Sequence, residues 1–574
     1  MADCGRQVHT RPSQIAGIGT SWIIAASAAW AAGLAVFAWA LWTPAAALRG
    51  QLTLLQFWSL EICVALGLAV FALGSRDLWR LIDRRHLLGV ALPLVLGLGM
   101  TVAVVPRTNR IFFDEQIYQS IGQNFADLHR AQMCNDGAIA NGRLRCAIGE
   151  YNKQPYAYPH LLSVAYRAFG VGPAPAFVVN ALAIGLSIAF VYLIVALLFA
   201  DRVAAFFAAL LFALTPQQLV WSASAAVEPS ASAACLAALL AAVCFVRLGS
   251  TISLIGVVVA AAYAIQFRPE SLLIVPVIAL LIWQRAPREF MRPRLWWAGV
   301  LFLALAAVHV GHTIAVRNEG WGTSQARFSL SYVAANLPSN GWFYLGDPRF
   351  PAAYSALALL GLSDRRGGTG RLTMICYFVL FFGMALAFYA GSYNYGADVR
   401  YSLATYPPVM IMGGLGLARL VGRFERAGRG TLALAGLTGA VVAQFLWYVP
   451  AVRATTDGAW AARADVEFAR SLVPVLRGRT YVLTQDPGMF QVWGISAGQT
   501  SLAAAEPARL DMLARQYPDG VYLHWNFWCN VQDPVQRGFC SRILELSPGD
   551  LIREQWKENQ RYALYRLRAP APER

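Results

Sequence analysis

Apolar stretches able to cross a bilayer recur about thirteen times between Thr20 and Val449, and they leave this chain few architectures. Inside hydrocarbon every backbone N–H and C=O must be paired by the chain itself, and a helix of about 20 apolar residues does this one segment at a time. The stretches are 20–42, 54–73, 87–105, 174–200, 203–219, 230–246, 252–267, 271–283, 295–314, 351–362, 372–390, 401–420 and 432–449. The first is too long for the apolar core of a signal peptide and reads as an uncleaved span. Only 14% of the 574 residues are charged, against roughly 25% in soluble domains. The expectation is a polytopic α-helical membrane protein.

A net charge of +16 would suggest nucleic acid in a soluble chain. Here the arginines crowd into short loops, RDLWRLIDRRH, QRAPREFMRPR, SDRRGGTGR and GRFERAGRG. Such loops face the cytosol by the positive-inside rule, and one alternating phase puts all of them there. No nucleic-acid partner is expected. In that phase a large polar loop, 106–173, lies outside, within a membrane part covering 1–450. The remainder, 451–574, has ordinary polarity and no span. RTYVLTQDP, GVYLHWNFWC and RYALYRLR read as strands, with helical stretches at 463–472 and 507–516, so a small exterior α/β domain is expected.

Nine cysteines divide by location. Cys63, Cys235, Cys244 and Cys376 fall inside apolar stretches and read as small core residues. Cys134 with Cys146, and Cys529 with Cys540, close short loops on the exterior side, where two disulfides are expected. No cysteine or histidine spacing suggests zinc, and no metal ligands are assigned.

The polar segment 111–159 concentrates the chemistry. It opens IFFDEQIYQSIGQNFA, with Asp114 and Glu115 side by side. Ile117, Ile121 and Phe125 recur every four residues, predicting an amphipathic helix over 115–128 lying in the membrane interface, with Asp114 at its N-cap. The pair reads either as helix capping or as a general base that deprotonates an acceptor hydroxyl. Lys153, among Tyr151, Tyr156 and Tyr158, is either solvated or a phosphate ligand. Arg268 and Arg400 sit where spans meet the exterior, against the positive-inside trend. They read as phosphate ligands or as partners of Glu270 and Asp398. Glu228, on a short exterior loop, reads as a snorkelling carboxylate, a sugar ligand or an arginine partner.

The ordered motifs FFDEQIYQSIGQNFA, NKQPYAYPHLLSVAYRAFG, VEPSASA, FRPESLLIVP and VRYSLATYPPVMIMGGLGL resemble the GT-C membrane glycosyltransferases. The similarity lies with the branch holding protein O-mannosyltransferases and lipid A aminoarabinose transferases. It implies a GT-C fold and an inverting transfer from a polyprenyl-phosphate-linked sugar to a hydroxyl of a lipid, polysaccharide or protein. It places that reaction on the extracytoplasmic face of a bacterial-type plasma membrane. Carried over by motif, Asp114 is the catalytic base and Glu115 its neighbour, which binds or orients. Lys153, Arg268 and Arg400 bind donor phosphate, and Glu228, Tyr158 and Tyr401 bind substrate. Some relatives use a divalent cation. The aminoarabinose-transferase motif reads Lys-Pro-Pro where this chain has Lys153-Gln154-Pro155. The competing class is a transporter or flippase of a lipid-linked saccharide, which predicts repeats and mid-membrane charges. Charges gathered at one face, with no visible repeat, favour the enzyme.

Overall fold

The computed structural model describes residues 21–320, 326–363, 368–394, 396–530 and 534–568. All thirteen expected spans fall on helices, from Ser21–Trp42 to Gly430–Gly458. Among the described residues, eight helices are long and apolar enough to cross a membrane alone. A ninth appears if Arg202–Ala213 and Pro216–Ser222, bent by 60° at the break before Pro216, form one span. Thr251–Ala264 and Ala352–Leu362 are shorter apolar helices that the sequence count takes as full spans. The chain is a multi-pass helical membrane protein. Its apolar core centres on Arg202–Ala213, where nearly every side chain from Ala204 to Ala213 is buried.

Charge separates along the helices. Glu228 opens the helix Glu228–Leu248 and Arg247 stands in its last turn, about 30 Å away at 1.5 Å per residue. Arg247 caps the Leu197 carbonyl at that far end, while Arg202 pairs with Asp83 and Arg292 and Arg294 with Glu289 in other interhelical loops. Glu228 sits with Arg268 and Arg400 at the opposite end.

The region after the last span folds around a seven-stranded mixed sheet. Its strands are β1 (Met133–Ala140), β2 (Arg143–Glu150), β3 (Thr480–Thr484), β4 (Ser496–Gln499), β5 (Gly520–Trp525), β6 (Gly549–Lys557) and β7 (Gln560–Leu567), in the spatial order β2-β1-β4-β3-β5-β7-β6. The three expected strands are β3, β5 and β7. Two others come from the exterior loop, so the sheet crosses the boundary expected at 451. β1 pairs antiparallel with β4 through Asp136↔Gly498 and Gly137↔Ala497, covering an edge that would otherwise expose unpaired backbone. The β1–β2 turn is Asn141-Gly142, both at positive φ (53° and 73°), the pairing a two-residue hairpin favours. Both expected disulfides, Cys134–Cys146 and Cys529–Cys540, are formed. Helix Trp460–Leu472 packs one face of the sheet through Phe468 and Leu472. Ala508–Gln516 and Pro534–Leu546 contribute Leu510, Leu513 and Ile543 to the core on the other.

The expected exterior helix is Asp114–Leu128, and it is buried from Glu115 to Phe125. Helix Ala157–Phe169 covers one side and the short helix Pro487–Val492 the other. Gly488 permits the second approach: a Cβ there would stand 2.7 Å from the Ser120 Cβ. An amphipathic helix lying in the interface would keep one face open, whereas here the sheet domain closes it. Gln123 Nε2 seals the contact by donating to the Gln491 carbonyl at 3.2 Å.

The hairpin is also tied by charge. Asp136 on β1, with its side chain 12% exposed, accepts from Tyr481 and from Arg509, whose side chain is 11% exposed. Breaking a buried pair by removing one partner costs about 3–5 kcal/mol. Arg509→Leu is therefore expected to lower the thermal midpoint of the purified protein in detergent, and Asp136→Leu added to it to recover part of the loss.

Candidate active site

Helix Asp114–Leu128 begins abruptly. Phe113, at φ 79° and ψ −45°, precedes Asp114 without any side-chain cap. A bulky residue at positive φ costs about 1–3 kcal/mol and persists only where its surroundings fix it. Asp114 is the first helical residue and not the N-cap, so the expected capping bond is not made. Its carboxylate turns outward and remains 27% exposed. Oδ1 accepts from Gln154 Nε2 at 3.2 Å, and Oδ2 from Arg400 Nη2 at 3.4 Å. Gln154 Oε1 in turn accepts from the Tyr118 hydroxyl at 3.3 Å, which orients the amide. Burial raises the Asp114 carboxyl above the usual carboxylate range, with Arg400 the strongest opposing influence.

Asp114 lines a cavity of about 490 Å³ together with Lys153, Arg268, Arg400 and Tyr401. Five residues singled out from sequence thus converge, from segments almost 290 positions apart. The two guanidiniums are held from behind. Glu228 lies 2.8 Å from Arg400 Nε and also pairs with Arg268, which in addition pairs with Glu270. Tyr401 lies between them, its ring centroid 5.1 Å from the Arg268 Cζ and 4.9 Å from that of Arg400. Arg400 Nη2 also donates to the Tyr401 hydroxyl at 3.2 Å. Lys153 reaches the Gly320 carbonyl at the cavity's side. Asp398 adds another carboxyl, which burial pushes up to about 6.

Three expectations change. Glu228 is 5% exposed and does not line this cavity; its carboxylate pairs with the two arginines, the arginine-partner alternative. Tyr158 is fully buried behind the site, edge-on to Tyr118 with centroids 5.5 Å apart, and its hydroxyl accepts from Asn180. It does not line the cavity. Glu115 is also fully buried, one residue around the helix, and accepts from the Arg110 backbone N–H at 3.2 Å. Burial pushes it up to about 8, and it supports the preceding loop instead of facing the cavity.

Sequence inspection missed Gln154, Tyr118, Arg327, His309 and His312, which also line the cavity. Tyr118 was within reach, since it follows Asp114 by four residues and shares its helix face. It also missed a second cavity of about 850 Å³, lined by Arg110, Phe112, Trp221, Arg349, Ala397, Val399, Trp447 and Tyr448 among others. The same two segments line both cavities: 110–114 supplies Arg110 and Phe112 to one and Asp114 to the other, and 397–401 divides likewise. Arg110 donates to the Thr456 hydroxyl and the Pro106 carbonyl, and burial lowers its pKa to about 10. Among the described residues no three His, Cys, Asp or Glu side chains form a metal-binding group.

The dolichyl-phosphate-mannose-protein mannosyltransferase family model matches residues 153–312, the stretch containing Lys153, Glu228 and Arg268. No curated protein matches the sequence. Among solved structures, ArnT from Cupriavidus metallidurans in the apo state superposes with a TM-score of 0.52 at 14% identity, covering 85% of this chain and 99% of that one. The archaeal oligosaccharyltransferase AglB from Archaeoglobus fulgidus superposes with a TM-score of 0.51 at 13% identity, covering 84% and 74%. The fold is GT-C. At such identities the likeness is one of architecture, and the GT-C frame accounts for the helical membrane part followed by an α/β domain. The site chemistry rests on this chain's own side chains.

Removing the Gln154 amide takes away a hydrogen bond to the charged form of Asp114, and that raises a carboxyl's pKa. Gln154→Leu should therefore protonate Asp114 at a higher pH than wild type does. An infrared titration, with the band assigned by Asp114→Asn, reads the step directly; an unmoved step contradicts the contact.

Proposed function

We propose that this protein is a membrane glycosyltransferase that moves a sugar from a polyprenyl-phosphate-linked donor to a hydroxyl acceptor, with inversion, on the extracytoplasmic side of the membrane. The carrying observation is that Asp114, partly exposed, shares a cavity with Lys153, Arg268 and Arg400, and that residues next to it and next to Arg400 line a second cavity. The fold and the family-model match support the same reading. AglB, a structural relative, has been solved in complex with an inhibitory peptide and a dolichol-phosphate.

In this reading the donor phosphate lies among Lys153, Arg268 and Arg400. Guanidinium groups suit phosphate oxygens, and Glu228, Glu270 and Tyr401 have already fixed their orientation. The acceptor enters from the larger cavity. Its hydroxyl gives a proton to Asp114 as its oxygen bonds to the anomeric carbon, and the bond from that carbon to the phosphate oxygen breaks. The polyprenyl phosphate leaves with the electron pair, its charge met by the three cations. Two other carboxylates line the cavity beside arginines, Glu270 paired with Arg268 and Asp398 near Arg400, while Glu115 and Glu228 do not line it. A single base acting in one displacement inverts the anomeric centre.

The base must be ionised to act. Because burial raises the Asp114 carboxyl, activity should be low at acidic pH and rise as the pH passes through that raised value. Asp114→Asn should lose about 10²–10⁴-fold in transfer rate while still binding donor. Purified protein incubated with radiolabelled polyprenyl-phosphate sugars and membrane extract tests this, and the labelled product identifies the acceptor. Undiminished transfer by Asp114→Asn removes the base role. A wild type that transfers nothing, yet carries labelled lipid across proteoliposomes, replaces the enzyme with a transporter.

A further inference from the structure

The sheet domain reaches the proposed base through aromatic rings. Phe112 lies 4.5 Å from Phe527 and 5.2 Å from Trp528, between ring centroids. Phe113 lies 5.9 Å from Trp528, edge to face. Phe113 is the residue at φ 79° immediately before Asp114, so its backbone sets the direction in which Asp114 leaves the loop. Phe112 also lines the larger cavity.

The far side of this contact is braced. Phe527 and Trp528 open the short helix Phe527–Asn530 directly after β5. Buried Asn526 accepts from the Trp528 backbone N–H at 3.2 Å, and Asn530 Nδ2 donates to the Arg561 carbonyl at 2.7 Å. The next residue, Cys529, is tied to Cys540. The Trp528 indole N–H is buried and has no hydrogen-bond partner among the described residues. The ring is therefore held by stacking, and it serves the contact with Phe112 and Phe113.

We infer that Phe527 and Trp528 are positioning residues for the transfer reaction: by clamping Phe112 and Phe113 they hold the strained turn that aims Asp114 into the cavity shared with Lys153, Arg268 and Arg400. The inference rests on the function proposed above and gives the sheet domain a part in it. Ring pairs of this geometry prefer offset or edge-to-face contact and add to the burial of their area. A left-handed bulky residue persists only when its neighbours over-determine it. Without the clamp the turn relaxes and Asp114 moves off the acceptor hydroxyl. The donor's cations, which come from other segments, stay in place. The signature is thus a loss of turnover with donor affinity retained.

The test uses the full chain in detergent, with a radiolabelled polyprenyl-phosphate sugar and membrane extract as the source of acceptor. Trp528→Ala and Phe112→Ala should each lower the rate at saturating donor about ten- to hundredfold, the scale of a small misplacement of a reacting group. Donor KM should stay within about twofold of wild type, as expected when donor binding is untouched. Trp528→Phe should restore most of the rate. The double variant Phe112→Ala/Trp528→Ala should be no slower than the slower single, because one contact is lost only once. If Trp528→Ala does not purify as a single species, Phe112→Leu, which keeps an apolar side chain and removes the ring, carries the same comparison. Wild-type rates in these variants, a KM that rises in step with the lost rate, or additive losses in the double variant overturn the inference. An inactive wild type brings down the functional reading instead.

Discussion

One shared carboxylate organises the site. Glu228 stands in the first turn of Glu228–Leu248, where the helix dipole favours a negative charge, and it pairs with both Arg268 and Arg400. Guanidiniums this enclosed are tolerable only with a counter-charge, since breaking such a pair leaves an uncompensated ion. Meeting that demand draws three separate parts of the chain together: the start of one span, the loop after Thr251–Ala264, and the segment before Tyr406–Glu425. Arg400 then reaches Asp114 on a fourth. The cavity's cations and its carboxylate thus inherit their places from a buried electrostatic requirement, and the helices of the membrane part supply the rigid frame.

The second organising fact is that the sheet domain is not an appendage. Two of its strands come from the loop that carries Asp114, and Asp136, Tyr481 and Arg509 lock them to the rest. Helix Asp114–Leu128 is buried between this domain and Ala157–Phe169. The carboxylate therefore has a rigid mount on both sides, with Gln154 and Arg400 fixing its two oxygens. The base role proposed for Asp114 would benefit from such pre-organisation.

Much of the fold was legible because its physics is local. Spans announce themselves by length and apolarity, and three of the strands by flanking turns and aromatic or β-branched runs. The hairpin Met133–Glu150 was not seen. Its first strand has a continuous buried run in place of an alternating pattern, although Asn141-Gly142 was a readable turn signal. Residue types suited to phosphate and proton chemistry marked Asp114, Lys153, Arg268 and Arg400, and the structure gathers all four. The neighbours were harder. Tyr158 is a tyrosine in a tyrosine-rich segment, and nothing in its sequence context separates a wall residue from a ligand. Gln154, lying beside Lys153 and departing from the related motif, became meaningful only once its amide was found on Asp114. Cavities depend on long-range packing and had no signature along the chain.

The central claim is that Asp114 faces a donor held by Lys153, Arg268 and Arg400, with the acceptor entering on the other side of segment 397–401. An experimental structure of the protein with a non-transferable polyprenyl-phosphonate sugar addresses it most directly. The account predicts phosphonate oxygens bonded to those three cations, the anomeric carbon turned toward Asp114, and the cavity lined by Trp447 and Tyr448 left to the acceptor. A phosphonate bound among Trp447, Tyr448 and Arg349, or a sugar turned away from Asp114, would contradict it.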